Sequence, residues 1–305
     1  FLMYMAAPII ALIPAFMTFL VIPWGQGFTF EIGGEVREFA FVGADLNVGV
    51  LFFLAMSSVA VYAIILAGWA SGSKYPLLGG VRGTAQAISY EAAMGLAIVA
   101  VVLFASTTSS DGGTLSFVEL VERQRGTWDE VVSLPSGLAW FENVLGLIPR
   151  WNILPQFIAF VIFMIAGVAE TNRPPFDLVE AEQELVGGFN TEYSGFRFAM
   201  FFLAEYTNVF NMSAIAVVLF RGGWDGPTFD QWLPGFFVTM LPLFWFLLKT
   251  AIVVFLFFWI RATWPRFRYD QLMTLGWKRL IPAALVWLIA STVVVSIRQF
   301  GWPWA

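Results

Sequence analysis

Seven long apolar segments, separated by short polar stretches, make up most of the chain. As helices rising 1.5 Å per residue, each can cross a bilayer core of about 30 Å. The ten-residue alternation of a membrane β-barrel is not seen, and backbone groups in lipid must be satisfied within each segment, so we expect helices. The segments are approximately 4–24, 48–70, 85–107, 153–170, 196–221, 232–260 and 279–299. The pattern predicts an all-α fold, a polytopic membrane bundle of seven transmembrane helices that forms a single integral membrane domain over residues 1–305.

The composition supports a membrane protein and excludes several kinds of site. Hydrophobic residues make up 59% of the chain and charged residues 12%, whereas soluble domains carry about 25% charged residues. The net charge of -5 argues against a nucleic-acid partner. Because the chain has no Cys and no His, we expect it to bind no metal, haem or iron–sulfur cluster of its own.

The loop Lys and Arg residues are distributed unequally between the two sides of the predicted bundle. The richer side is expected to be cytoplasmic, or the matrix side in an organelle. It carries Lys74, Arg82, Arg173, Arg197, Arg261, Arg266, Arg268, Lys278 and Arg279. The poorer side carries Arg37, Arg123, Arg125, Arg150, Arg221 and Arg298. This orientation predicts a cytoplasmic loop at 171–195 and an outer-face segment with short interfacial helices at 108–151.

The predicted cytoplasmic loop is unusually acidic. Three carboxylates lie within five residues, at Glu180, Glu182 and Glu184. Carboxylates this close are expected to titrate as a coupled group. The acidic residues of the loop and its border are Glu170, Asp177, Glu180, Glu182, Glu184 and Glu192, with Arg173 as the only base. From charge alone, a solvated surface is the simpler explanation. The helices on either side also carry glutamates, and this context favours a functional role.

Three ionisable residues lie well inside apolar segments: Glu91, Glu205 and Lys249. Charge in the membrane is costly and usually marks an ion path or a proton relay, so we expect these residues to belong to one. The alternative is that they pair with one another or snorkel and serve only packing. For Glu170, which ends the fourth segment and is expected near the membrane interface, the two interpretations have equal weight.

Three sequence blocks carry a family resemblance. They are AETNRPPFDLVEAEQELVGGFNTEYSG followed by FFLAEYTN, GWASGSKYPLLGGVRGTAQAISYE at 68–91, and WIRATWPRFRYDQLMTLGWK at 259–278. Together they closely resemble the quinone-site membrane subunit of proton-pumping NADH:quinone oxidoreductase, respiratory complex I. The similarity covers essentially the whole chain. That family has eight transmembrane helices, so its first helix and a basic surface segment would precede residue 1.

The resemblance implies a subunit without a redox centre, in an NADH:ubiquinone or menaquinone oxidoreductase that acts as a translocase. The subunit would form the membrane side of a quinone tunnel and couple quinone reduction to proton translocation, with no catalytic residue of its own. The quinone-binding positions would be Phe202, Leu203 and Arg261, with Glu180, Glu182 and Glu184 in the acidic loop. The proton pathway would contain Glu91, Glu170 and Glu205, to which we add Glu192 from the loop and Lys249 from its position.

The resemblance also implies cofactors and partners. Quinone would be the substrate, and FMN, NAD and the Fe–S clusters would be held by partner subunits, with no metal or flavin bound by this chain. The partners would be the hydrophilic quinone-module and Fe–S subunits, the small membrane subunits, the antiporter-like subunits and membrane lipid. The location would be the bacterial plasma membrane, or the mitochondrial inner membrane if the chain is organellar. Alternatives are the homologous membrane subunit of an energy-converting hydrogenase, a stand-alone ion transporter and a purely structural anchor.

Overall fold

The computed structural model describes residues 2–32, 35–106, 113–128, 148–179, 187–227 and 235–300. Within these residues, six helices are long and apolar enough to cross a membrane. The helices are α1 (Leu2–Val21), α2 (Gly49–Ala70), α3 (Lys74–Ser106), α4 (Phe117–Glu122), α5 (Phe157–Glu170), α6 (Phe196–Phe220), α7 (Gly235–Thr263), α8 (Tyr269–Leu275) and α9 (Ile281–Phe300). A π-helical turn, Gly276–Leu280, joins α8 to α9, and together they form one helical stretch that is long and apolar enough to cross a membrane. The predicted membrane helix bundle is confirmed.

The fourth predicted segment is the exception among the seven. Its helix, α5, has 14 residues and is therefore only about 21 Å long. It ends because Asn172 adopts a left-handed conformation, with φ of 52°, and Pro174 follows. The chain then turns back into the bundle, where Phe176, Leu178 and Val179 are buried. This helix is therefore shorter than a membrane-spanning helix was predicted to be, and the predicted count of seven transmembrane helices is approximate.

The connection between α2 and α3 is also tighter than predicted. The third helix was expected to start near residue 85, but it begins at Lys74 and has 33 residues. Only a short turn at 71–73 separates it from α2, with Gly72 at φ of 66°. A Cβ atom at Gly68 would lie 2.6 Å from the carbonyl oxygen of Pro76. Glycine at 68 therefore allows the two helix ends to pack directly against each other.

A β-hairpin lies between α1 and α2, in a region for which no element was predicted. Strands β1 (Phe28–Ile32) and β2 (Glu35–Phe39) pair antiparallel, with Phe28 opposite Phe39. The sequence carries the signal for this hairpin: polar and apolar residues alternate on both sides of Gly33–Gly34.

The core forms around α3, which packs against α2, α5 and α9, while α1 packs against α2 and α6. Helix α4 falls within the predicted outer-face segment, and its N-terminus is capped by Ser116, whose hydroxyl accepts a hydrogen bond from the Glu119 amide at 3.4 Å. Most of the rest of that segment, residues 129–147, lies outside the described residues. Its interfacial position stays a prediction.

Candidate functional site

A cavity of about 100 Å³ lies where α1, α2, α3 and α6 meet the chain that returns from α5. This volume can hold several water molecules, at about 10–15 Å³ each. Most of its wall is apolar, including Phe53, Ile64 and Phe189. Its polar lining consists of Thr18, Ser57, Glu170, Thr171, Asn172, Asn190, Glu205 and Asn208. The cavity therefore brings two of the predicted glutamates, Glu170 and Glu205, to one place.

Glu170 lies deep in the bundle. The hydroxyl of Ser57 donates a hydrogen bond to its Oε1, and Ser57 is about 20 Å along α2 from the end at Ala70. The side chain of Glu170 is buried. Glu170 therefore lies beside the middle of α2, deeper than the interfacial position that was expected from its place at the end of the fourth segment. This depth removes the main argument for a merely snorkelling carboxylate.

Glu91 is held in a matching way by the next residue of α2. The hydroxyl of Ser58 donates to Oε1 of Glu91. The charges of Glu91 and Glu170 are close enough to interact electrostatically. Two neighbouring serines thus place a carboxylate from α3 beside a carboxylate from α5. Neither serine was singled out from the sequence.

Glu205 has a charged partner that the sequence analysis did not assign. Nε of Arg173 lies 2.7 Å from its Oε1, and the guanidinium group lies 4.3 Å from the ring centroid of Tyr206. Arg173 comes from the returning segment after α5 and is buried. The only base of the acidic segment therefore forms an ion pair with an intramembrane glutamate.

Gln86 fixes the returning segment against α3. Its Nε2 donates to the carbonyl oxygen of Ala169 at 2.6 Å and to that of Phe176 at 2.9 Å. The side chain is fully buried. The backbone amide of Phe267, beyond α7, also donates to the carbonyl oxygen of Pro175 at 3.1 Å. Residues 171–179 were predicted to be the first part of a cytoplasmic loop. Most of their side chains are buried against the bundle, and their place on the cytoplasmic side stays a prediction.

The remaining acidic-loop residues lie apart from the cavity or outside the described chain. Glu180, Glu182 and Glu184 fall outside the described residues. Glu192 has an exposed side chain, and its backbone carbonyl oxygen accepts a hydrogen bond from the hydroxyl of Tyr4 at 2.5 Å. The structure does not bring the Glu192 carboxylate to Glu170 or Glu205, and its place in a proton pathway stays a prediction.

The predicted quinone positions on α6 lie on a different face from the cavity. Residues Phe201, Ala204, Glu205 and Asn208 line it, which is the i, i+3, i+4, i+7 pattern of one helix face. Phe202 is half-buried and Leu203 is exposed, so neither belongs to that face. Arg261 is exposed in the last turn of α7. A quinone site at these three residues stays a prediction, separate from the cavity.

Lys249 belongs to another cluster, beyond the opposite end of α6. Its ammonium group donates to the carbonyl oxygens of Arg221 at 2.8 Å, Gly223 at 3.1 Å and Asp225. These three acceptors match the three donors of a lysine. Along α6 the cluster is about 24 Å from Glu205. The structure thus shows a capping role for Lys249 and does not bring it together with the glutamates.

The charge of Lys249 also affects a neighbouring carboxyl group. Burial raises the pKa of Asp225, while the charges of Lys249 and Arg125 lower it, and burial has the larger effect. Nε of Arg125 lies 4.0 Å from Oδ1 of Asp225. Within the described part of the chain, no group of three or more His, Cys, Asp or Glu side chains is placed to hold a metal ion.

Comparison with known proteins identifies the family. Residues 1–292 match the NADH dehydrogenase family. The chain belongs to this family. A curated relative, an NADH-quinone oxidoreductase subunit of Protochlamydia amoebophila (strain UWE25), is 49% identical over 288 residues, which cover 94% of this chain and 75% of the relative. The family resemblance carried by the three sequence blocks is confirmed. The cavity with Glu170 and Glu205, and the neighbouring Glu91, therefore lie in an NADH dehydrogenase family chain that is built as a membrane helix bundle.

Proposed function

We propose that this chain is the membrane subunit of an NADH:quinone oxidoreductase and that it couples quinone reduction to proton translocation. The observation that carries the proposal is the arrangement of Glu205, Glu170 and Glu91. Two of them share one cavity, and the third is joined to the same stretch of α2. Buried carboxylates in a membrane bundle are typical of proton relays.

The cavity itself suits water and protons better than quinone. Its volume of about 100 Å³ is below the roughly 300–1,000 Å³ of typical small-molecule pockets. We therefore assign the quinone tunnel to a separate region, which includes Phe202, Leu203, Arg261 and the acidic loop and is completed by partner subunits. The glutamates at the cavity would receive the effect of quinone chemistry rather than contact the quinone ring.

Arg173 links the two regions in this proposal. It lies on the segment that leads into the acidic loop, and it pairs with Glu205 at 2.7 Å. Reducing a quinone to quinol takes up two electrons and two protons, and charge changes act strongly where polarity is low. A change that draws Arg173 away would leave the Glu205 carboxylate facing the cavity, where it can accept a proton and pass it toward Glu170 and Glu91.

The proposal includes the partners and the orientation expected from the resemblance. FMN, NAD and Fe–S clusters would be held by hydrophilic subunits, and antiporter-like subunits would carry protons onward. The acidic loop would lie on the cytoplasmic side of a bacterial plasma membrane, or on the matrix side of a mitochondrial one. This chain's own residues would bind and orient groups and move protons, while electron transfer would take place in the partner subunits.

Purification of the native complex tests the proposal. We expect the chain to copurify with FMN, Fe–S clusters and bound quinone, and we expect NADH-driven quinone reduction in liposomes to acidify one compartment. A complex that evolves hydrogen and holds no quinone would support the energy-converting hydrogenase alternative. A chain that purifies alone and transports ions without NADH would support the transporter alternative.

A further inference from the structure

Two consecutive residues of α2, Ser57 and Ser58, each hold a different glutamate. Ser57 donates to Glu170 at the end of α5, and Ser58 donates to Glu91 on α3. Consecutive residues on a helix point about 100° apart, so one short stretch of α2 can face both neighbouring helices. The carboxylates are thus held by neutral hydroxyl groups, whereas Glu205 is held by a fixed positive charge.

A hydroxyl group suits both protonation states of a carboxyl group. It has one proton to donate to a carboxylate and lone pairs that accept from a carboxylic acid. The guanidinium of an arginine only donates and keeps its charge, so it favours the carboxylate alone. A serine partner therefore allows a glutamate to gain or lose a proton without losing its hydrogen bond.

Ser58 has the second acceptor that this exchange requires. Its Oγ also lies 3.1 Å from the carbonyl oxygen of Leu54, one turn back on α2. When Glu91 is protonated, its O–H can donate to Oγ of Ser58, and the serine proton can turn to the Leu54 carbonyl. When Glu91 is ionised, the serine proton turns back to the carboxylate. Both states are fully hydrogen-bonded.

Ser57 and Glu170 open onto the cavity. Both residues line it, and Oε2 of Glu170 is buried and accepts no hydrogen bond from any residue that the structure describes. The first oxygen of this carboxyl group is thus held by Ser57, while the second is available to a proton arriving through the cavity. The hydroxyl proton of Ser57 can turn toward the same space.

We propose that Ser57 and Ser58 are positioning residues of the proton pathway, which keep Glu170 and Glu91 hydrogen-bonded while a proton moves between them. The inference rests on the proposed function. In the step, the Glu170 carboxyl group loses one proton and the Glu91 carboxylate gains one. Each serine keeps its own proton and only exchanges the donor and acceptor roles, so no further reactant is needed.

The test uses the whole complex reconstituted in liposomes and the substitutions Ser58→Ala, Ser57→Ala and Ser58→Thr. For the alanine variants, we expect an unchanged rate of NADH oxidation by an artificial acceptor. We expect their proton-coupled quinone reduction to fall about tenfold or more, the scale of one hydrogen bond to a charged group. Ser58→Thr keeps the hydroxyl group and should restore the rate to within about twofold.

A matched control is available on α6. Ser213 is also fully buried in a membrane helix, but its hydroxyl donates to the carbonyl oxygen of Val209 at 2.8 Å and forms no hydrogen bond with a carboxyl group among the described residues. Ser213→Ala should therefore behave like the parent. If it slows coupled turnover as much as Ser58→Ala does, the effect of removing Ser58 is one of packing, and the proposal is wrong.

The outcomes separate this inference from the proposed function. If both alanine variants pump at the parental rate and ratio while Glu205→Gln does not, the serine inference fails and the proposed function stands. If Glu205→Gln also pumps normally, the proposed function itself fails.

If Ser58→Ala does not assemble, Ser58→Cys keeps a similar volume with only a weak donor. It should assemble and be slow, and a parental rate in Ser58→Cys would overturn the inference.

Discussion

The ion pair between Arg173 and Glu205 allows a quantitative test of how the cavity is coupled to the acidic segment. The change is Arg173→Gln, which removes the charge that lies 2.7 Å from the Glu205 carboxylate. The side chains of Arg173 and Glu205 are 10% and 19% exposed, so the pair is neither fully buried nor solvated. If each turnover breaks and restores this ion pair, removing the pair by substitution should change the rate of coupled quinone reduction.

The size of the effect follows from this partial burial. Exposed ion pairs contribute about 0.2–1 kcal/mol, and breaking a buried pair costs about 3–5 kcal/mol. An intermediate value of about 2 kcal/mol corresponds to roughly a 30-fold change in rate. We therefore expect Arg173→Gln to slow coupled quinone reduction by about 30-fold. NADH oxidation by an artificial acceptor, which the proposed function assigns to partner subunits, should stay unchanged.

A double-mutant cycle distinguishes the ion pair from a general effect of lost charge. Rates of coupled quinone reduction are compared for Arg173→Gln, Glu205→Gln and the double variant. Because either single change already removes the pair, the double variant should be no slower than the slower single variant, a departure from additivity of about 2 kcal/mol. Arg197→Gln is the control, because it also removes one positive charge, but the guanidinium group of Arg197 lies over the Tyr4 ring, 5.0 Å from the ring centroid. Fully multiplicative effects of the two changes would refute the coupling.

Three further predictions concern packing and protonation. Lys249→Met should lower the amount of assembled complex, because it leaves three carbonyl oxygens without their donor. The complex that does assemble should keep the parental ratio of protons to electrons, and a changed ratio would contradict the capping role. Burial raises the pKa of Tyr193 to about 12, so the unfolded chain ionises first and stability falls as the pH rises from about 10 to 12. Tyr193→Phe should reduce this alkaline loss in thermal unfolding, and an unchanged pH profile would contradict the assignment. Gly68→Ala should destabilise the complex, because the new Cβ would lie 2.6 Å from the Pro76 carbonyl oxygen. The control is Gly95→Ala, whose new Cβ would have no neighbour within 4 Å in the described structure and which should be neutral or stabilising by up to about 1 kcal/mol. Equal melting temperatures for the two variants would contradict the packing explanation.

The membrane helices and the intramembrane glutamates could be predicted because each rests on local information. A long apolar run must be helical in lipid, and a glutamate within it is recognisable from its neighbours. The end of α5 at Glu170 was also predicted, because the apolar segment stops there. The sequence does not show that Phe176 and Leu178 turn back and pack inside the bundle, because that position depends on tertiary contacts. The depth of Glu170 is set by the same packing.

The partners of the glutamates also could not be predicted, for a related reason. Ser57, Ser58 and Arg173 come from other elements, and only the tertiary packing brings them to the carboxyl groups. The lining of the cavity by α6 was within reach of the sequence, because Phe201 and Asn208 share a helix face with Glu205. The family resemblance implies quinone contacts for Phe202 and Leu203, which lie on a different face of α6, and that assignment stays a prediction.

The hydrogen bonds of Gln86 determine what kind of signal can pass from the acidic segment into the bundle. One amide group holds the last turn of α5 through Ala169 and the returning chain through Phe176. The reversal of the chain is therefore joined on both sides to α3, the helix that carries Glu91, and it cannot slide past that helix without breaking two buried hydrogen bonds. Under the proposed function, a signal from the quinone side would therefore pass this point through the redistribution of charge among side chains, across a backbone that stays in place.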